Sequence, residues 1–194
     1  MKKTLFLISL TFLTLSGFAQ KNDSKTNNTD FGKNIIAFHP LHAVADNFVG
    51  VGFSYERLVN NYIGIKVPIM KSINTNYVNV GLEAKLYPAR NNGVVKYAIA
   101  PSINFGTGDE KYSDYVYDPV LGYNVQTFTK SRRTHFGFLL NQTLNVTIMK
   151  QMYIGIDGGL GINYFDDKSN RNFNSNSNNI SLAAQFHMAL GFRF

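Results

Sequence analysis

The chain has 194 residues, no cysteine, no tryptophan and a formal charge of +7 at pH 7. That length fits a single domain, and the lack of cysteine excludes disulfides and a lipoprotein-type attachment site. The charge is modest and dispersed, which gives no basic stripe of the kind a nucleic-acid binder presents.

In chain order, Lys2 and Lys3 make a positive start and Leu5 to Leu15 is an apolar run broken only by Ser9, Thr11 and Thr14. Gly17-Phe18-Ala19 then supplies small residues where a signal peptidase reads. The run of eleven residues is too short for a membrane-spanning helix, which needs about 20. Residues 1–19 are therefore expected to be a signal peptide, cleaved after Ala19 to leave 175 residues with a charge of +5. Residues 20–30 have no apolar residue between Lys21 and Asp30 and predict a flexible periplasmic leader, with 31–194 as the folded domain. No apolar run in that domain is long enough for a transmembrane helix. If it spans a membrane, it does so with strands.

From Phe31 onward, aromatic and β-branched residues recur at period two between Gly- and Asn-rich turns, and eight strands are predicted. They lie near 34–44, 48–59, 62–70, 77–87, 94–106, 133–149, 152–165 and 180–194. In the last, Ile180, Leu182, Ala184, Phe186, Met188, Leu190, Phe192 and Phe194 share one parity, against Ser181, Ala183, Gln185, His187, Ala189, Gly191 and Arg193 on the other. Successive side chains of a strand point to opposite faces, so each run has one greasy face and one small or polar face.

Volume decides which face points inward. The interior of an eight-stranded barrel is only just wide enough to be filled by side chains. The apolar parity carries too many large residues to fit there, whereas Gly, Ala, Ser and Asn of the other parity do fit. The apolar face is thus predicted to meet lipid. Connection lengths agree. Every second one from Asn60-Asn61 is tight, and the long ones, 107–132 and 166–179, fall on the opposite end. Short periplasmic turns and longer external loops are the habit of outer-membrane barrels. The expected fold is all-β, an eight-stranded antiparallel up-and-down transmembrane β-barrel.

Phe186-His187-Met188-Ala189-Leu190-Gly191-Phe192-Arg193-Phe194 resembles the terminal strand of bacterial outer-membrane β-barrel proteins. Val51-Gly52-Phe53-Ser54-Tyr55-Glu56-Arg57, after Pro40-Leu41-His42, is similar to the first hairpin of small barrel families of uncharacterised function. By strand number and length, 31–194 resembles the OmpA-type or OmpX-type barrel. The resemblance implies a Gram-negative outer-membrane location and a monomer surrounded by outer-membrane lipid. It also implies that Phe186, Met188, Leu190, Phe192 and Phe194 form the signal read by the barrel-assembly machinery. No peptidoglycan-binding domain follows the barrel, so that part of the OmpA role is not implied.

The inward parity collects Glu56, Glu83 and Asp157 against Lys66, Lys85, Lys96 and Arg193. Inside a narrow barrel such charges must be paired or hydrated. They make either an ion-pair network that plugs and stiffens the lumen, which is the favoured reading, or a polar pathway with a charge gate. His39, His42, His135 and His187 show no Ser-His-acid spacing. His39 and His42 have opposite parity and are not expected to share a face. No catalytic, metal or cofactor site is expected.

The Gly155–Gly161 run lies within an alternating strand and lacks the following helix a phosphate cradle needs. Tyr62, Tyr77, Tyr87, Tyr153 and Tyr164 lie near strand ends and fit two aromatic girdles. The 107–132 connection interleaves Asp109, Glu110, Asp114 and Asp118 with Tyr112, Tyr115, Tyr117 and Tyr123, and suits either contact with an extracellular ligand or, through its carboxylates, a divalent cation, or equally a solvated loop whose tyrosines rest on the membrane interface. Two residues break the pattern. Pro40 falls within the first strand, and Gln142 faces lipid in mid-strand. A bulge at either would reconcile it.

The expected function is a non-enzymatic outer-membrane barrel with a largely packed polar lumen and a structural or surface-contact role. A narrow channel for small solutes is the alternative, and a lipid-modifying enzyme comes third.

Overall fold

The computed structural model describes residues 31–44, 48–90, 93–167 and 180–194, with the side chains of 48, 110–114 and 129–131 outside the described part. The expected signal peptide, the leader and the Asn-rich segment 170–179 also fall outside it. Eight strands follow one another in chain order: β1 Asn34–Val44, β2 Phe48–Leu58, β3 Ile63–Ser72, β4 Val78–Leu86, β5 Val95–Asp118, β6 Tyr123–Ile148, β7 Met152–Asp166 and β8 Ser181–Arg193. Each pairs antiparallel with its neighbours, and β1 pairs with β8 to close the barrel. Closure extends one residue further, where Asn34 and Phe194 exchange two backbone hydrogen bonds of 2.8 Å. Within the barrel wall, closure leaves no edge strand to present unpaired N–H and C=O groups.

The usual order of a protein interior is inverted. Along β3 the exposed positions are Ile63, Ile65, Val67, Ile69 and Lys71, and the buried ones include Gly64, Lys66, Met70 and Ser72. The same alternation runs round the wall, with Phe53, Leu82, Ile103, Phe138, Leu140, Leu160 and Leu182 outside. Phe186, Leu190, Phe192 and Phe194 also stand on the outer face, and Met188 occupies the half-buried outer position between Phe186 and Leu190. Among the described residues no helix is long and apolar enough to cross a membrane.

Two departures from regular alternation are informative. The first is a bulge at Pro40. The register of β1 shifts between His39 and His42 against β2, and between Phe38 and Leu41 against β8. A proline donates no ladder hydrogen bond and is accepted where a bulge removes it from the ladder. Pro40 and Leu41 both face outward, so the parity resets and both His39 and His42 point into the lumen. The expectation that these histidines lie on opposite faces is corrected by that extra residue. Deleting Pro40 should leave His39 and His42 at alternate positions of a regular strand. The shortened protein is expected to keep its heat-modifiable mobility on gels. Deleting Phe53 from the unbulged β2 instead turns half a strand inside out and is expected to abolish it.

The second departure concerns 107–132, which is not a loop. β5 and β6 continue as a two-stranded ribbon, paired without interruption from Gly108↔Arg133 to Asp118↔Tyr123. Among the described residues β4 accompanies β5 only to Thr107, and β7 accompanies β6 only to His135. The ribbon therefore rises alone from the rim, for roughly 35 Å at about 3.4 Å per residue. At its tip Asp118 accepts hydrogen bonds from the N–H groups of Val120 and Leu121, at 2.8 and 3.3 Å. Gly122 takes a positive φ of 74° that a side chain would disfavour.

Candidate functional site

The lumen is a stack of polar layers. Towards the end where the termini meet, Lys85 Nζ donates to Glu56 Oε2 at 2.9 Å and to the Tyr153 hydroxyl at 3.2 Å. The Tyr87 hydroxyl donates to Glu56 Oε1 at 2.5 Å, and that of Tyr153 to Asn145 Oδ1 at 2.5 Å. Tyr87 and Tyr153 were expected in an outer aromatic girdle, as was Tyr77, but all three are buried inside. A phenol buried in a polar lumen finds a partner for its hydroxyl. Tyr62 and Tyr164 do stand on the exterior.

In the next layer, Lys66 Nζ lies 2.8 Å from Asp157 Oδ2 and 3.4 Å from Glu83 Oε2. His187 Nε2 is 2.8 Å from the same Asp157 oxygen and 3.2 Å from Lys66 Nζ. Around it are His39, with Nε2 2.8 Å from Ser54 Oγ, and His42; their rings lie 5.0 and 5.5 Å from that of His187. Above, an amide relay fills the bore. Asn141 Nδ2 donates to Glu83 Oε1 at 3.3 Å, Gln185 Nε2 donates to Asn141 Oδ1 at 2.9 Å, and Asn104 Nδ2 donates to Gln185 Oε1 at 3.1 Å.

Of the seven inward charges read from parity, five meet one another. Glu56, Lys66, Glu83, Lys85 and Asp157 form two ion-paired groups. Lys96 and Arg193 lie at the terminal mouth, both stacked on the Phe31 ring at 5.0 and 4.9 Å from its centroid. There Lys96 donates to Thr147 Oγ1 at 2.6 Å and Arg193 to the Gly32 carbonyl at 2.7 Å. At the opposite rim, Arg133 makes a forked contact with Asp166, with bonds of 2.9 and 2.6 Å. Tyr77 and His135 stack and hydrogen-bond beside it.

The parity reading missed the three-histidine group and the Arg133–Asp166 pair. His187 already had inward parity, and Pro40 was the signal that His42 would join it. Arg133 opens the predicted strand 133–149, but its partner Asp166 falls one residue past the predicted strand 152–165.

Chemically, this arrangement holds charge in place. The central carboxylates and ammonium groups are held against one another at 2.8 to 3.4 Å, and Glu83 and Lys85 are 0% exposed. Among the described residues no three His, Asp or Glu side chains are gathered to hold a metal ion. Of the ribbon carboxylates, only the Asp109 and Asp118 side chains are described, and they stand apart. Asp109 lies at the ribbon's base opposite Arg132, while Asp118 closes the turn at its tip. Tyr115, Tyr117 and Tyr123 are exposed on the ribbon, together with Val116 and Phe128. The Tyr112 side chain lies outside the described part.

No protein-family model and no curated protein matches the chain. Among solved structures, it is similar to the N-terminal β-barrel domain of Pseudomonas aeruginosa OprF at 7% identity and a TM-score of 0.59, covering 85% of this chain and 100% of that one. It is also similar to the attachment invasion locus protein Ail of Yersinia pestis, at 13% identity and a TM-score of 0.44, covering 83% and 96% of the two chains. The outer membrane protein OprG of P. aeruginosa aligns at 9% identity and a TM-score of 0.43, covering 84% and 96%. At 7% identity the OprF likeness concerns the fold, which is a closed barrel with eight antiparallel strands. In fold, the chain belongs with the small eight-stranded outer-membrane β-barrels.

Proposed function

We propose that this protein is a non-enzymatic barrel of the outer membrane whose lumen is closed by its own ion pairs and whose outward contacts are made by the 107–132 ribbon. The observation that carries the reading is the mutual burial of Glu56, Lys66, Glu83, Lys85 and Asp157, which fill the bore instead of lining it. An eight-stranded wall leaves little bore beyond what its side chains occupy. The apolar exterior supports residence in lipid. On this reading Phe186, Met188, Leu190, Phe192 and Phe194 form the strand recognised by the barrel-assembly machinery. Tyr115 and Tyr117, with Phe128 on the same face of the ribbon, present an aromatic surface to an extracellular ligand, and Tyr123 offers a second contact on the opposite face.

Reconstitution in a planar bilayer tests the plug. The expected result is no steady open-channel current from the full chain. Steady currents altered by Glu83→Gln or Lys85→Met would replace the plug with a narrow, charge-gated conduit for small solutes.

A further inference from the structure

One position on the outer wall remains chemically unexplained by the bulge and the ribbon. Gln142 faces outward at the middle of the part of β6 that lies in the barrel wall, His135–Ile148, between Leu140 and Leu144. The strand is regular there. Gln142 pairs with Ile99 of β5 and Gly158 of β7, with no register shift on either side. Its backbone is thus engaged in both ladders, while its side-chain amide forms no hydrogen bond with any described residue. Other polar side chains in the outward rows, such as Arg57, Lys71 and Thr134, stand towards the rims of the barrel wall, where headgroups and water are within reach.

An amide at mid-depth has no such recourse. Lipid chains offer neither donor nor acceptor, and an unpaired polar group in hydrocarbon is costly. What can satisfy it is protein embedded at the same depth. A second copy of this chain, related by a two-fold axis along the membrane normal, places its own Gln142 at that depth by symmetry. Two primary amides are self-complementary, since each N–H donates to the other's carbonyl oxygen. The wall is also shaped for close approach. Gly158, directly beside Gln142, has no heavy atom within 4 Å of where a Cβ would stand. It is the outward glycine among the described strands, and it leaves a recess bordered by Ile156, Leu160 and Phe186.

We infer that Gln142 and Gly158 form the centre of a two-fold contact between two copies of this chain in the membrane, with the paired Gln142 amides on the axis. This departs from the monomer expected from the sequence, and it rests on the reading that the outer wall lies in lipid.

The chain is free of cysteine, so a single introduced thiol reports the contact. Leu160→Cys stands next to the recess, and Phe53→Cys stands on β2, four strands from β6. In phosphatidylcholine vesicles under mild oxidation, Leu160→Cys is expected to give a covalent dimer and Phe53→Cys is not. Adding Gln142→Leu should weaken association roughly tenfold, the combined effect of two interhelical-type amide bonds in a bilayer. Gln142→Leu puts a lipid-compatible side chain on the wall, so folding is expected to be retained. Gel mobility before and after boiling, run on the same samples, reports insertion separately. Heat-modifiable barrels that crosslink alike from both sites, from neither, or regardless of Gln142→Leu would overturn the contact alone. Samples that never become heat-modifiable or vesicle-bound would overturn the membrane reading with it.

Discussion

Replacing Lys85 by methionine is expected to cost the barrel about 3–5 kcal/mol of stability. The side chain is 0% exposed, and its ammonium lies 2.9 Å from Glu56 and 3.2 Å from the Tyr153 hydroxyl. Methionine preserves most of the aliphatic stem but removes the positive charge. The Glu56 carboxylate then keeps the Tyr87 hydroxyl and loses its counter-charge in a site closed to bulk water. Leaving one charge of a buried pair uncompensated is far worse than removing both. The double variant Glu56→Gln, Lys85→Met should therefore recover most of the loss, since Gln still accepts from Tyr87. Urea unfolding of vesicle-inserted protein, followed by gel mobility, measures both. Equal losses in the single and double variants would mean that the pair contributes nothing through its coupling, and the plug would lose its structural rationale.

This test depends on knowing which charge meets which, and that is where reading from the sequence reaches its limit. Parity along a regular strand depends only on counting, so Glu56, Lys66, Glu83, Lys85 and Asp157 were identifiable as inward residues before any pairing was known. Partner choice needs register across the barrel. Lys66 reaches Asp157 across a separation of 91 residues, and no local pattern encodes that distance. Counting also fails wherever the strand does, as at Pro40, where one extra residue turns His42 inward.

The ribbon escaped notice for a different reason. Alternation marks a strand only when one face is buried and the other is not. Beyond the rim both faces meet solvent, so Tyr115, Val116, Tyr117 and Asp118 carry no period-two signal even though they pair residue by residue with Gln126, Val125, Asn124 and Tyr123. Tyr77, Tyr87 and Tyr153 were misplaced because a tyrosine near a strand end suits either side of the wall. An inward carboxylate, amide or imidazole within reach of its hydroxyl decides between them, as Glu56, Asn145 and His135 do here.

Arginine placed on the outer wall should cost different amounts at two leucines that are otherwise alike. Leu82 and Leu86 both face outward from β4 and are 50% and 45% exposed, so neither substitution disturbs the lumen or a packed contact to a markedly different degree. They differ in height. Leu82 is central in Val78–Leu86, whereas Leu86 ends the strand. If the wall is bathed in hydrocarbon, Leu82→Arg should cost about 2–4 kcal/mol and Leu86→Arg about 0–1 kcal/mol, because a charge at mid-depth cannot reach the headgroups and one near the boundary can. In water the two arginines would be equally harmless and would even improve solubility. Urea titrations of both variants in phosphatidylcholine vesicles distinguish these cases, and equal costs would remove lipid as the medium outside the wall. Residue type and exposure are matched between the two sites, so a difference between them measures the solvent around the barrel and nothing within it.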